Sequence, residues 1–163
     1  MSDSDDFVAI LNVAYRYAQA ADRRDWQGLT DCYTEDAVVN FNGTIVEGRD
    51  AIIARNKVRL TAWEATQHFT GNPVINVDGD TADASFYTIA QHTVIREGKP
   101  VTCLAGGVYE DQLVRTAQGW RFWRRRIQKL WMMGDESLLP ASIYGEDKPP
   151  SLEPLQWEAP ASG

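Results

Sequence analysis

The sequence predicts an α+β domain in which three N-terminal helices pack on a strongly curved, mainly antiparallel sheet that encloses a pocket. Three observations lead there. Apolar residues recur at helical spacing from Phe7 to Ala21. From Thr66 onward the pattern changes to long strand-like runs, divided by turn signals at Asp78-Gly79, Glu97-Gly98-Lys99 and Gln118-Gly119. Gly71 and Gly106-Gly107 fall inside those runs, where a bulge or bend lets a long antiparallel strand twist and curl. Helices lying against the concave face of a curled sheet leave a pocket.

Ser4 or Asp3 can cap the first helix, and Phe7, Ile10, Leu11, Ala14, Tyr17, Ala18 and Ala21 make its apolar face. Asp22 follows Ala18 by one turn, so it projects from that same face. It also sits at the helix C-terminus, where the helix dipole disfavours an anion. That carboxylate needs a partner, or else solvent and a neutralising Arg23 or Arg24. Asp25 caps a short second helix with Trp26, Leu29, Cys32 and Tyr33 on its inner side. Ala37 to Phe41 and Thr44 to Glu47 flank Asn42-Gly43, a strong hairpin signal. Asp50 opens a third helix bearing Ile52, Ile53 and Val58. Four strands follow: about Thr66 to Asp78, Thr81 to Ile95, Pro100 to Arg115, and from Gln118-Gly119 to Trp131. Residues 1–133 form one domain. Residues 134–163 hold five of the seven prolines and no periodic pattern, but Leu138, Leu139, Ile143, Tyr144 and Trp157 are too apolar for a fully solvated segment. Part of this tail is expected to pack on the domain or on a neighbouring subunit.

The formal net charge of -7 argues against a nucleic-acid partner, even though Arg121, Arg124, Arg125, Arg126 and Lys129 alternate with aromatics near the last strand. A solvated strand with salt bridges, or a subunit interface, is the expected role for those cations. Cys32 and Cys103 have no metal-type spacing and cannot build a disulfide scaffold, so buried reduced thiols and a cytoplasmic location are expected. The acidic N-terminus lacks the apolar segment of a signal peptide, and no apolar run approaches a membrane span. No phosphate-cradling glycine loop and no metal-ligand set is recognisable, so no cofactor is expected. Asp78-Gly79-Asp80 is a turn, without the spacing of a calcium loop. Apolar tail residues and the aromatic, basic last strand suggest surface that a dimer or trimer would cover.

The residues Tyr17 to Trp26, Gly48-Arg49-Asp50-Ala51-Ile52, Thr66-Gln67-His68-Phe69, Asp78 to Ala82 and Gly119-Trp120-Arg121 resemble the SnoaL-like branch of the nuclear transport factor 2-like superfamily. The resemblance runs from about Phe7 to Trp131 and implies a cystatin-like cone. Its members include dehydratases, isomerases, epoxide hydrolases, cyclases and noncatalytic proteins, so the fold does not by itself give a function. The scytalone dehydratase type is the nearest functional match. There an aspartate shortly before Asp-Trp pairs with the histidine of a Thr-Gln-His-Phe segment, and a second histidine lines the cavity from the next strand. The corresponding residues are Asp22, His68 and His92, and His68 and His92 are the only histidines in the chain. The dehydrochlorinases of the superfamily share the Asp/His dyad. Departures are also visible. Ala21 stands where the fungal dehydratase has a tyrosine, Phe41 stands near its second tyrosine, and Gly106 to Tyr109 offer no match for its serine and asparagine. Ketosteroid isomerase has an oxyanion tyrosine at the place of Tyr17, but its general-base aspartate falls near Phe41, which carries no proton. The two-aspartate arrangement of the epoxide hydrolases has no counterpart.

The resemblance implies catalytic roles for His68, Asp22, His92 and Tyr17, with Asn40, Phe41, Phe86 and Tyr109 contacting substrate. His92 follows Ala84, Phe86, Thr88 and Ala90 in strand alternation, a face suited to a cavity wall. The expected activity is a cofactor-independent elimination, most simply dehydration of a small hydrophobic alcohol, aromatic or cyclic. Asp22 holds His68, His68 removes a proton, and His92 or a tyrosine protonates or stabilises the departing oxygen. The alternatives are an isomerase or carbon–carbon lyase using the same dyad, or a noncatalytic binding module in which Asp22 and His68 are a structural pair.

Overall fold

The computed structural model describes residues 3–135 and residue 138. Helices α1 (Asp3–Arg23), α2 (Trp26–Thr30) and α3 (Arg49–Thr61) accompany strands β1 (Tyr33–Phe41), β2 (Thr44–Glu47), β3 (Ala65–Asp78), β4 (Thr81–Arg96), β5 (Lys99–Thr116) and β6 (Gly119–Gly134). The strands form one sheet in the order β2-β1-β6-β5-β4-β3. Every pairing is antiparallel except β1 with β6, which is parallel. The predicted α+β cone is therefore present.

Several local expectations are met and a few corrected. Asp25 caps α2 by accepting a hydrogen bond from the Gly28 amide at 2.9 Å. Asp3 and Ser4 lie inside the first turn of α1 rather than before it. Tyr33, read as helical, opens β1 instead, and the hairpin strand starts before Ala37. Ile52 and Ile53 are buried, whereas Val58 is 71% exposed. It lies away from the face of α3 that buries Ile52, Asn56 and Leu60. The predicted tail beyond Leu138 lies outside the described residues. Leu138 itself is buried against Trp63 and Cys103.

Curvature arises where the glycines suggested. The β3–β4 register slips between Gly71 and Val74, and the β5–β6 register slips between Gly106 and Gly107. A Cβ on Gly107 would stand 2.3 Å from the Gln128 carbonyl oxygen, so only glycine permits that backbone approach. A third slip separates Gln112 from Leu113. It leaves Trp123 as the extra residue between Phe122 and Arg124, so Phe122 and Arg125 both face the core despite a spacing of three.

The core lies between α1 and the concave face of the sheet, around Ile10, Tyr17, Tyr33, Phe86, Leu113 and Phe122. The N-terminal end of α1 is fixed by buried Asp6, which accepts hydrogen bonds from Arg115 at 2.6 and 2.8 Å and from the Trp120 indole at 3.1 Å. Those donors hold its carboxyl down at about 2. Among the described residues no helix is long and apolar enough to cross a membrane.

Candidate active site

Asp22 ends the apolar face of α1, where the unpaired carbonyls of a helix C-terminus repel a carboxylate. Arg24, at φ 59°, turns back and donates to the Ala21 carbonyl at 2.7 Å and to Thr66 Oγ1 at 2.7 Å. Thr66 in turn donates to Asp22 Oδ1 at 3.0 Å. Asp22 Oδ2 accepts the His68 backbone amide at 2.8 Å, and Oδ1 meets His68 Nδ1 at 2.7 Å. Burial alone would raise the Asp22 carboxyl, but the His68 hydrogen bond and charge, the His68 amide and Thr66 outweigh it and hold the carboxyl below its usual range. The alternative of a solvated Asp22 neutralised by arginine does not hold. With Nδ1 donating to a carboxylate, His68 keeps its basic lone pair on Nε2.

His68 lines a cavity of about 100 Å³ with His92 and Trp63. The two imidazoles stand edge to face with centroids 5.7 Å apart, and the Trp63 ring lies 4.9 Å from His92. Burial, then the neighbouring charges of His68 and Arg59, lower the His92 pKa to about 3, with Asp22 opposing. At neutral pH His92 is an uncharged imidazole, so it offers a hydrogen bond and not a proton.

This has a consequence for stability. A histidine in the unfolded chain titrates near 6.5. Above that pH both states are neutral and His92 costs nothing. As pH falls from about 6.5 towards 3, the unfolded chain takes up a proton that the folded cavity refuses, and stability is lost. At pH 5 the loss from His92 is about 2 kcal/mol. Urea unfolding at pH 7 and pH 5 is expected to show it, and His92→Gln is expected to remove that portion. An equal acid loss in the variant would assign the effect elsewhere.

Below the cavity, Arg125 and Asp111 are fully buried and joined by hydrogen bonds of 2.7 and 2.8 Å. The guanidinium carbon lies 4.3 Å from the Tyr17 ring centroid, 4.6 Å from Tyr109 and 3.8 Å from Phe122. Burial would strip the charge from Arg125, but the charge and hydrogen bonds of Asp111 hold its pKa well above the ordinary value. The expectation that the β6 cations are solvated therefore fails at Arg125, because the Trp123 bulge turns it inward.

The family model for the SnoaL-like domain matches residues 2–126. The chain belongs to the SnoaL-like family. A Penicillium crustosum protein named Terrestric acid biosynthesis cluster protein E is 35% identical over 141 residues, covering 83% of this chain and 88% of that one. A Novosphingobium aromaticivorans structure, provisionally assigned as a scytalone dehydratase, superposes with a TM-score of 0.74 at 23% identity, over 82% of this chain and 91% of its own. A hexachlorocyclohexane dehydrochlorinase structure superposes with a TM-score of 0.72 at 17% identity, over 82% and 93%. These two likenesses show a fold that the three chains share.

Within this SnoaL-like cone, Tyr17, Phe41, His68, His92 and Tyr109 all line the cavity, and Asp22 stands behind His68. Asn40 and Phe86 are not among the lining residues. Asn40 points to the other face of β1 from Val39 and Phe41, where its Oδ1 accepts the Gly43 amide at 2.7 Å and closes the hairpin turn. Phe86 shares the inward face of β4 with His92 but lies deeper, inside the core cluster. The lining residues that were missed include Asn56, Arg59 and Trp63, on α3 and just after it, and Lys129 on β6. The i, i+3, i+4 spacing of Asn56, Arg59 and Leu60 was the available signal. Among the described residues no group of three or more His, Cys, Asp or Glu side chains could hold a metal ion.

Proposed function

We propose that this SnoaL-like protein is a cofactor-independent lyase that removes water from a small cyclic or aromatic alcohol, with His68 as the base. The observation that carries this reading is the 2.7 Å contact of Asp22 Oδ1 with His68 Nδ1 at the wall of an aromatic cavity. Nε2 takes a proton from carbon, and Asp22 stabilises the imidazolium that forms. His92 stays neutral, and burial pushes the Tyr109 phenol above its ordinary range, so neither is a ready proton source. The imidazolium of His68 then returns its proton to the departing hydroxide, releasing water from the face on which the carbon–hydrogen bond was broken. Elimination is also the chemistry named for the dehydrochlorinase and for the provisionally assigned dehydratase, which supports the reaction class.

A panel of cyclic and benzylic alcohols assayed for loss of water tests the reading. Wild type is expected to turn over at least one member. His68→Ala is expected to reduce kcat about 10²–10⁴-fold with ligand affinity nearly unchanged, because a base acts mainly in the transition state. If wild type dehydrates nothing in the panel and His68→Ala loses binding instead, the protein is a binding module.

A further inference from the structure

We propose that the cavity recognises a small ring bearing a delocalised oxyanion, a carboxylate or an ionised enol, and that Asn56, Arg59 and Lys129 form the recognising pole. This rests on the same cavity as the elimination reading, but not on any turnover within it. Asn56 is only 5% exposed, lines the cavity from α3, and its Nδ2 has no hydrogen-bond partner. A buried amide donor without an acceptor is costly, and an oxygen of a bound ligand that reached Asn56 would relieve that cost.

Charge points the same way. Arg59 stands one turn beyond Asn56, Lys129 enters from β6, and both line the cavity. None of the described lining residues is an aspartate or glutamate, although the chain as a whole carries a net charge of -7. Asp22, behind His68, is engaged by His68 and Thr66, and Asp111, below the cavity, is engaged by Arg125. The Arg59 guanidinium also lies 5.6 Å from the Phe41 ring centroid, with Arg55 at 4.8 Å from the same ring. An aromatic wall thus runs directly into a cationic, amide-donating end. A flat ring with a charge-spreading oxygen substituent matches both parts, and the fork of Arg59 suits a two-oxygen or delocalised anion.

The test is equilibrium binding of four single-ring probes at pH 8: benzoate, 4-nitrophenolate, benzamide and benzyl alcohol. At least one anion is expected to bind tenfold or more tightly than both neutral probes. Preference for benzoate assigns a carboxylate; preference for 4-nitrophenolate assigns an enol-type oxyanion. Asn56→Leu is expected to weaken the preferred anion about tenfold or more while leaving benzyl alcohol within about twofold. Asn56→Asp is expected to reverse the preference by placing like charge against the ligand. Should either Asn56 variant fail to fold, Lys129→Gln and Arg59→Gln carry the test through loss of the same preference. Equal binding of anions and neutral probes, or an anion preference untouched by all of these variants, overturns the proposal. Anion preference without any dehydration would leave this inference standing and sink only the elimination reading.

Discussion

Asp22→Asn is expected to lower kcat for dehydration by about 10⁴-fold while the cavity still binds ligand. The reason lies in the three contacts of one carboxylate. Oδ1 serves His68 Nδ1 and Thr66 Oγ1, and Oδ2 serves the His68 amide; every partner donates. An asparagine has one accepting oxygen and one NH₂ group. If the oxygen faces the backbone amide, NH₂ faces Nδ1, which must then accept, and the proton moves to Nε2, where the base is needed. If the oxygen faces Nδ1, NH₂ collides with the amide N–H, donor against donor. Neither orientation keeps both the tautomer and the strand contact. Steady-state kinetics beside ligand affinity would check this, and a kcat within tenfold of wild type would show that Asp22 does not set the tautomer.

The largest stability effect is expected at the buried ion pair. Arg125→Met leaves Asp111 buried beside no cation, and Asp111→Leu leaves a guanidinium with its carboxylate gone. Each alone is expected to cost about 3–5 kcal/mol. The double variant removes both charges and is expected to recover most of that loss, since apolar side chains of similar volume can replace a buried pair. Urea unfolding of the four proteins gives the coupling. Additive losses would mean that the two charges do not depend on each other. Because Tyr17, Tyr109 and Phe122 pack on the guanidinium, the single variants are also expected to disturb the cavity floor.

The cone was legible because it follows from simple periods, whereas the pairing of Asp22 with His68 came from the resemblance of their motifs and not from periodicity. Helical spacing placed Tyr17 on the inner face of α1, and alternation along β4 placed His92 on the same side as Thr88 and Ala90. The same alternation assigned Phe86 to the correct face but could not give its depth. Whether an inward side chain meets a cavity or the core depends on what α1 places opposite it, and that is a tertiary fact. Asn40 misled because its amide is used locally to close the hairpin turn. Arg125 was indistinguishable from its neighbours in a run of cations. Only the extra residue at Trp123 turns it inward, and that bulge, unlike those at Gly71 and Gly106-Gly107, has no glycine or proline to announce it. Asn56 and Trp63 were missed because an asparagine on a helix reads as surface until the helix is docked.

The neighbouring imidazoles also limit how the cavity handles isotopes. His92 sits 5.7 Å from His68, and burial lowers its pKa to about 3, so it is a poor acceptor for a proton. In the proposed elimination, a deuteron lifted from substrate onto His68 would therefore not pass on to His92. It leaves on the departing oxygen or returns to carbon, in competition only with exchange at the half-buried dyad. With a deuterated substrate in ordinary water, recovered starting material should therefore keep its label, and wash-out should lag behind turnover.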